Sequence, residues 1–133
     1  MADIVDTNIL LRILTRDDPE QAERSEGLLR RAGKGELKLF VSDVCVAELA
    51  WTLESYYGLS RPEIARKLLA LMNTAGLTFS VRGVLIDAIM RFGDSGVDFA
   101  DAYHAAIASD REAEVYSYDR DYDQFPDINR REP

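Results

Sequence analysis

The chain has 133 residues, 47% of them apolar and 30% charged, with a formal net charge of −8. That length suits one domain over residues 1–133 with a real core, and no apolar run approaches the roughly 18 to 20 residues a membrane span needs. The negative balance argues against a broad basic face for gripping nucleic acid; it leaves room for an enzyme that reaches nucleic acid through bound metal and a few local arginines, and it favours a basic partner.

Met1-Ala2-Asp3 leads straight into a strand, so no signal peptide is expected. Cys45 is the single cysteine; it excludes an internal disulfide and is compatible with a reducing, cytoplasmic compartment. Asp3 to Asp6 reads as a buried strand and Asn8 to Leu14 as a short helix. Asp18-Pro19-Glu20-Gln21 is a helix start, with Asp18 as cap and Pro19 at the first helical position; that helix runs to Ala32, with Gly33 as its stop. Leu37 to Val41 is a second strand. Ser42 caps a helix reaching about Tyr57, and Ser60-Arg61-Pro62-Glu63 is a capping box opening another through about Ala75. Leu77 to Val81 is a third strand, Val84 to Phe92 an apolar helix, and Asp94-Ser95-Gly96 a loop. Asp98 is read as the cap of a helix through Asp110 or Arg111. Val115 to Tyr118 is a fourth strand, and Ile128 falls in a short edge strand. Strands alternating with helices imply an α/β fold with a mostly parallel central sheet covered on both faces.

In such sheets ligands bind outside the carboxyl ends of the strands, and this alternation brings Asp6, Glu48, Asp101 and Asp119 to that edge. Each acid has a structural alternative. Asp6 can cap the following helix, Asp119 can be a turn residue, Asp101 can sit in a first helical turn for the sake of the dipole, and Glu48 can form an ion pair. Glu48 stands among Val44, Val46, Ala47, Leu49, Ala50 and Trp51, in a helix apolar on most of its surface. Together the carboxylates repel one another unless a cation neutralises them. An oxygen-only set favours Mg²⁺ or Mn²⁺ over softer metals. His104, the single histidine, reads as a surface or packed residue and Cys45 as core. Trp51, Tyr56 and Tyr57 fall at helical spacing, more common for core or interface than for base stacking. No phosphate-binding glycine loop and no C-x-x-C is present.

Ile4-Val5-Asp6-Thr7-Asn8-Ile9-Leu10-Leu11 resembles the opening motif of PIN-domain ribonucleases. Glu48-Leu49-Ala50-Trp51, then Asp98-Phe99-Ala100-Asp101-Ala102-Tyr103-His104-Ala105-Ala106, then Ser117-Tyr118-Asp119-Arg120 resemble the remaining signatures in order. The single domain is most similar to VapC-type toxins of toxin–antitoxin pairs. The resemblance implies an α/β/α sandwich with metal-dependent endoribonuclease activity, and Asp6, Glu48, Asp101 and Asp119 match the acidic site. Thr7, Asn8 and Ser117 would support it by hydrogen bonds, Ser117 standing where threonine is common. Asp98 and Asp121 are additional acids nearby. The resemblance further implies an RNA substrate, a homodimer and an antitoxin. A segment carrying arginine or lysine would suit an antitoxin that blocks an acidic site.

In the mechanism this implies, Asp6 is the central metal ligand, Asp101 and Asp119 are further ligands, and Glu48 orients or deprotonates the attacking water. Arg12 and Arg120 are candidates for phosphate contact. Two other readings compete. An aspartyl-phosphate enzyme would use Asp6 as nucleophile, but position 8 is Asn rather than the second Asp such enzymes usually carry. A non-catalytic protein-binding domain would have little use for four retained acids.

Overall fold

Capping chemistry sets several of the helix starts. In the computed structural model, which describes residues 1–133, Asp18 accepts the Gln21 N–H at 3.1 Å, Ser42 the Cys45 N–H at 3.1 Å and Ser60 the Glu63 N–H at 3.3 Å. Each bond satisfies a donor that the first helical turn would otherwise leave orphaned. The helices so opened are α2 (Pro19–Gly33), α3 (Asp43–Ser55) and α4 (Arg61–Met72); the others are α1 (Thr7–Thr15), α5 (Arg82–Asp94) and α6 (Phe99–Arg111). Between them run β1 (Asp3–Ile4), β2 (Leu39–Phe40), β3 (Leu77–Thr78), β4 (Val115–Tyr116) and β5 (Arg130–Arg131), with a 3₁₀ turn over Arg120–Gln124.

Every strand pair is parallel. β2 lies between β1 and β3, with Asp3 opposite Leu39 and Leu39 opposite Leu77. β4 pairs with β5, Val115 opposite Arg130. Helical crossovers link β1 to β2 and β2 to β3, as parallel pairing requires, α5 and α6 carry the chain on to β4, and the whole is an α/β/α domain with a parallel sheet.

The strands are shorter than their sequence windows, and they form two ladders rather than one. The Val115 and Ser117 N–H groups each donate at 2.9 Å to the β5 segment, at Asn129 and Arg131, so β4 spends these donors there. β1 uses its Asp3 and Val5 N–H groups on the β2 side, at Lys38 and Phe40. Ile4, expected inside a buried strand, is 73% exposed, and only Val5 of that run is core, because successive side chains point to opposite faces of the strand. Ile128 is buried but precedes β5 instead of lying in it. α4 stops at Met72 instead of continuing to Ala75, because Asn73 already turns back onto the Leu69 and Ala70 carbonyls. Gly76 then reverses the chain with φ +89°. A Cβ there would stand 2.4 Å from the Ala32 carbonyl carbon, so only glycine fits between α2 and β3.

The apolar residues fall into two bodies. A 24-residue core includes Val41, Leu49, Leu53, Ile64, Leu85 and Phe92; a 6-residue core consists of Val97, Ala105, Ala108, Tyr122, Phe125 and Ile128. α6 divides them: Ala102 and Ala106 face the large core, Ala105 and Ala108 the small one.

Candidate metal centre

Asp6 follows β1 and holds the N-cap backbone position of α1, in extended conformation, yet its side chain makes no capping bond. Asp98 does the same ahead of α6. The capping role expected for Asp98 is therefore not taken up; its carboxylate is 87% exposed and stands 3.9 Å from Arg61 Nη2. Asp119 differs. Its Oδ1 accepts the Asp121 N–H at 2.9 Å, opening the 3₁₀ turn, while Ser117 Oγ accepts the Asp119 N–H, also at 2.9 Å. The turn reading of Asp119 is thus correct, and the turn brings a second acid to the same place.

Asp101, Asp119 and Asp121 bring one carboxylate oxygen each within 4.8 Å of one another. Asp101 lies in the first turn of α6, whose start is fixed by Arg61 on α4. Arg61 Nη1 donates to the carbonyls of Ser95 at 3.2 Å and Phe92 at 3.4 Å, and to that of Val97. Its Nε meets Glu54 Oε2 at 2.8 Å, and its guanidinium lies 4.3 Å from the Phe92 ring centroid. These bonds finish the C-terminal end of α5 and set the loop that delivers Asp98 and Asp101.

Asp6 and Glu48 stand outside the tight triad. Both act on Cys45: burial pushes that thiol up, the Glu48 and Asp6 charges push it further, and the Thr7 hydroxyl opposes them. Cys45 is core, as expected. Glu48, expected in an apolar environment, is exposed. The reason is the stripe it belongs to. Val44, Glu48 and Trp51 recur at helical spacing on the outer face of α3, with Val44 67% and Trp51 69% exposed, while Cys45, Leu49 and Leu53 turn inward. The helix looks apolar throughout because its outer stripe is apolar too. Between α3 and α6 a groove of about 470 Å³ is lined by Glu48, Trp51, Phe92, Asp98 and Phe99.

None of the protein's ion pairs involves Asp6, Glu48, Asp101, Asp119 or Asp121. The ion pair that would have explained Glu48 does not form. Asp43, an acid at the start of α3 to which the sequence gave no role, shows the contrast: it accepts hydroxyls from Ser80, at 2.9 Å, and from Tyr103. That bond pushes the Tyr103 phenol up to about 12. Arg12 is held by Gln21 at 2.8 Å and Asp17 at 3.1 Å, so its charge is engaged away from the cluster. Arg120, next to Asp119, is exposed and in no ion pair. The Asn8 side chain accepts and donates no hydrogen bond within the protein and lines a cleft between α1 and α2 with Arg12 and Arg24.

A triad of carboxylates with oxygen-only donors, none of them in an ion pair, suits a hard divalent ion. Fold and donor set together define a parallel α/β domain built around a candidate divalent-metal centre. The PIN domain model matches residues 4–128, and the chain belongs to that family. PIN domains are typically nucleases, generally bind divalent metal through acidic residues, and so imply a nucleic acid substrate. No curated protein matches the chain. No helix is long and apolar enough to cross a membrane.

Proposed function

We propose that the chain is a metal-dependent endoribonuclease of the VapC type, the toxin of a toxin–antitoxin pair, hydrolysing phosphodiester bonds of RNA. The observation that supports this most is the Asp101–Asp119–Asp121 triad, engaged in no ion pair, in a PIN-family chain. Asp101, Asp119 and Asp121, with Asp6 at the end of β1, would hold Mg²⁺, or Mn²⁺ in its place. When bound, the ion supplies neutralisation of phosphoryl charge and a lowered pKa for water.

The remaining work falls to the chain. Glu48, exposed on α3, orients the attacking water and accepts its proton. Ser117 fixes the Asp119 backbone, so that the carboxylate stays at the end of β4. Thr7, buried at the start of α1, turns its hydroxyl to Cys45, and Asn8 extends the polar rim. Arg120 offers a charge to the substrate phosphate. With a net charge of −8 and few free cations near the centre, affinity depends little on counterion release. A salt slope of about −0.7 per phosphate contact, over one or two contacts, is expected for a single strand.

The groove between α3 and α6 fits the antitoxin. Its walls are apolar at Trp51, Phe92 and Phe99, and its rim is acidic at Glu48, Glu54 and Asp98. An amphipathic segment carrying arginine or lysine complements both features, since the planar guanidinium pairs bidentately with carboxylates. A homodimer and a cytoplasmic address belong to the same reading.

The test incubates the purified chain with labelled single-stranded RNA, duplex RNA and single-stranded DNA, in Mg²⁺, Mn²⁺ or EDTA. Cleavage of RNA that needs metal and is lost in Asp6→Asn is the expected result. Equal cleavage by metal-stripped protein, or no cleavage of any RNA, rejects the proposal.

A further inference from the structure

Tyr122 sits in the 3₁₀ turn that also carries Asp121, and its ring is only 3% exposed, at the centre of the small core. Its hydroxyl donates to Asp101 Oδ1 at 3.0 Å and lies 3.1 Å from His104 Nδ1. A phenol carries one proton. Since that proton goes to the carboxylate, which can only accept, the contact with His104 requires the imidazole to donate. His104 therefore carries its hydrogen on Nδ1, and the three groups form a directed chain: His104 Nδ1–H to Tyr122 Oη, Tyr122 O–H to Asp101 Oδ1. Burial and the bond to Asp101 push the Tyr122 phenol far above its ordinary range, with the Asp101 and Asp119 charges adding.

We propose that Tyr122 and His104 are positioning residues that hold the Asp101 carboxylate in the metal centre against the repulsion of Asp119 and Asp121. The clamp is economical in its placement: one short turn supplies the two acids that push Asp101 away and the hydroxyl that holds it. Its ring is fixed by Val97, Phe125 and Ile128 in the small core. His104 acts only through Tyr122, by fixing the direction of its O–H. The inference rests on the metal-centre reading above and adds two residues to it. Outer partners of a metal ligand commonly contribute about 10- to 100-fold in metal affinity or activity.

Mn²⁺ affinity of the intact chain, measured by electron paramagnetic resonance titration, tests this separately from nuclease activity. Tyr122→Phe keeps the buried ring and removes only the hydroxyl; it should weaken Mn²⁺ binding by about tenfold or more. His104→Leu should weaken it less, about threefold, and should add nothing in the Tyr122→Phe background. His104→Asn, which places an amide N–H near the Nδ1 position, should restore wild-type affinity. A lowered melting temperature with unchanged Mn²⁺ affinity in Tyr122→Phe would mean a purely structural bond and overturn the proposal. So would additive effects in the double variant. If the wild type binds Mn²⁺ but cleaves no RNA, the nuclease reading fails while the positioning roles are still judged by the same affinities.

Discussion

Replacing Arg61 by alanine should be among the most damaging single changes away from the acids. The side chain is 19% exposed and joins α4 to the end of α5 and to the loop before α6. Two of its carbonyl acceptors, on Ser95 and Val97, are well placed, and about 1 kcal/mol is lost for each on truncation. The contact with the Phe92 face adds about 0.5–1 kcal/mol. Glu54 is 38% exposed, so its pair is discounted to about 0.5 kcal/mol. The sum is about 3–3.5 kcal/mol. With a urea slope of about 2 kcal/mol per molar, the unfolding midpoint should fall by about 1.5–1.8 M. Arg61→Lys keeps the charge without the planar fork and should recover about half of that loss. Because these bonds set the start of α6, Mn²⁺ affinity should fall in Arg61→Ala as well. A midpoint shift under about 0.4 M would refute the reasoning, since it would mean water replaces the guanidinium at no cost.

Three further outcomes follow from the site and its surroundings. Asp121→Asn should raise the stability of metal-free protein by on the order of 0.5 kcal/mol, by relieving like-charge repulsion, and should weaken Mn²⁺ binding; equal stability with and without the substitution in EDTA would contradict the crowding of the triad. Cys45→Ser should keep RNA cleavage, and the native thiol should alkylate at least about tenfold more slowly than in urea, because burial holds it protonated. Arg91 depresses the Asp127 carboxyl below its ordinary value of 3.8 through a side-chain hydrogen bond. Its contribution to stability is complete above that value and is lost as pH falls through the depressed one; urea midpoints between about pH 5 and about pH 2 should drop less steeply in Asp127→Asn.

What the sequence disclosed, and what it withheld, divides along the distinction between local and distant chemistry. Asp18, Ser42 and Ser60 announce α2, α3 and α4 because a cap is completed within three residues. The same local signature misleads at Asp98, where the N-cap backbone is present and the side chain turns away. Glu48 looked interior because its helix is apolar outside as well as inside, and exposure depends on which face meets the core. Ile4 looked interior because a strand window does not say which of its two faces will be covered. Asp121 joins Asp101 and Asp119 through the turn that Asp119 itself begins; the pattern D-x-D at a strand end carried that signal. The link from His104 through Tyr122 to Asp101 had no such signal. His104 and Tyr122 are 18 residues apart and meet only because α6 and the 3₁₀ turn close on one small core. PIN family membership over residues 4–128 and the α/β class were legible from the order of the motifs.

The unequal division of the core, 24 residues against 6, has a consequence for how the domain breathes. The segment that buries Tyr122, Phe125 and Ile128 in the smaller body gives up far less apolar surface on opening, so it separates from α6 at a fraction of the free energy of global unfolding. Amide hydrogens of the segment from Val115 to Ile128 should therefore exchange by sub-global opening while those of α3 and α5 wait for the whole domain to melt. Asp119 and Asp121 ride on the segment that opens, and Asp101 on the helix that stays. A ligand gripping all three acids would tie the two bodies together, slowing exchange in one 14-residue stretch and leaving the rest of the protection pattern as it was.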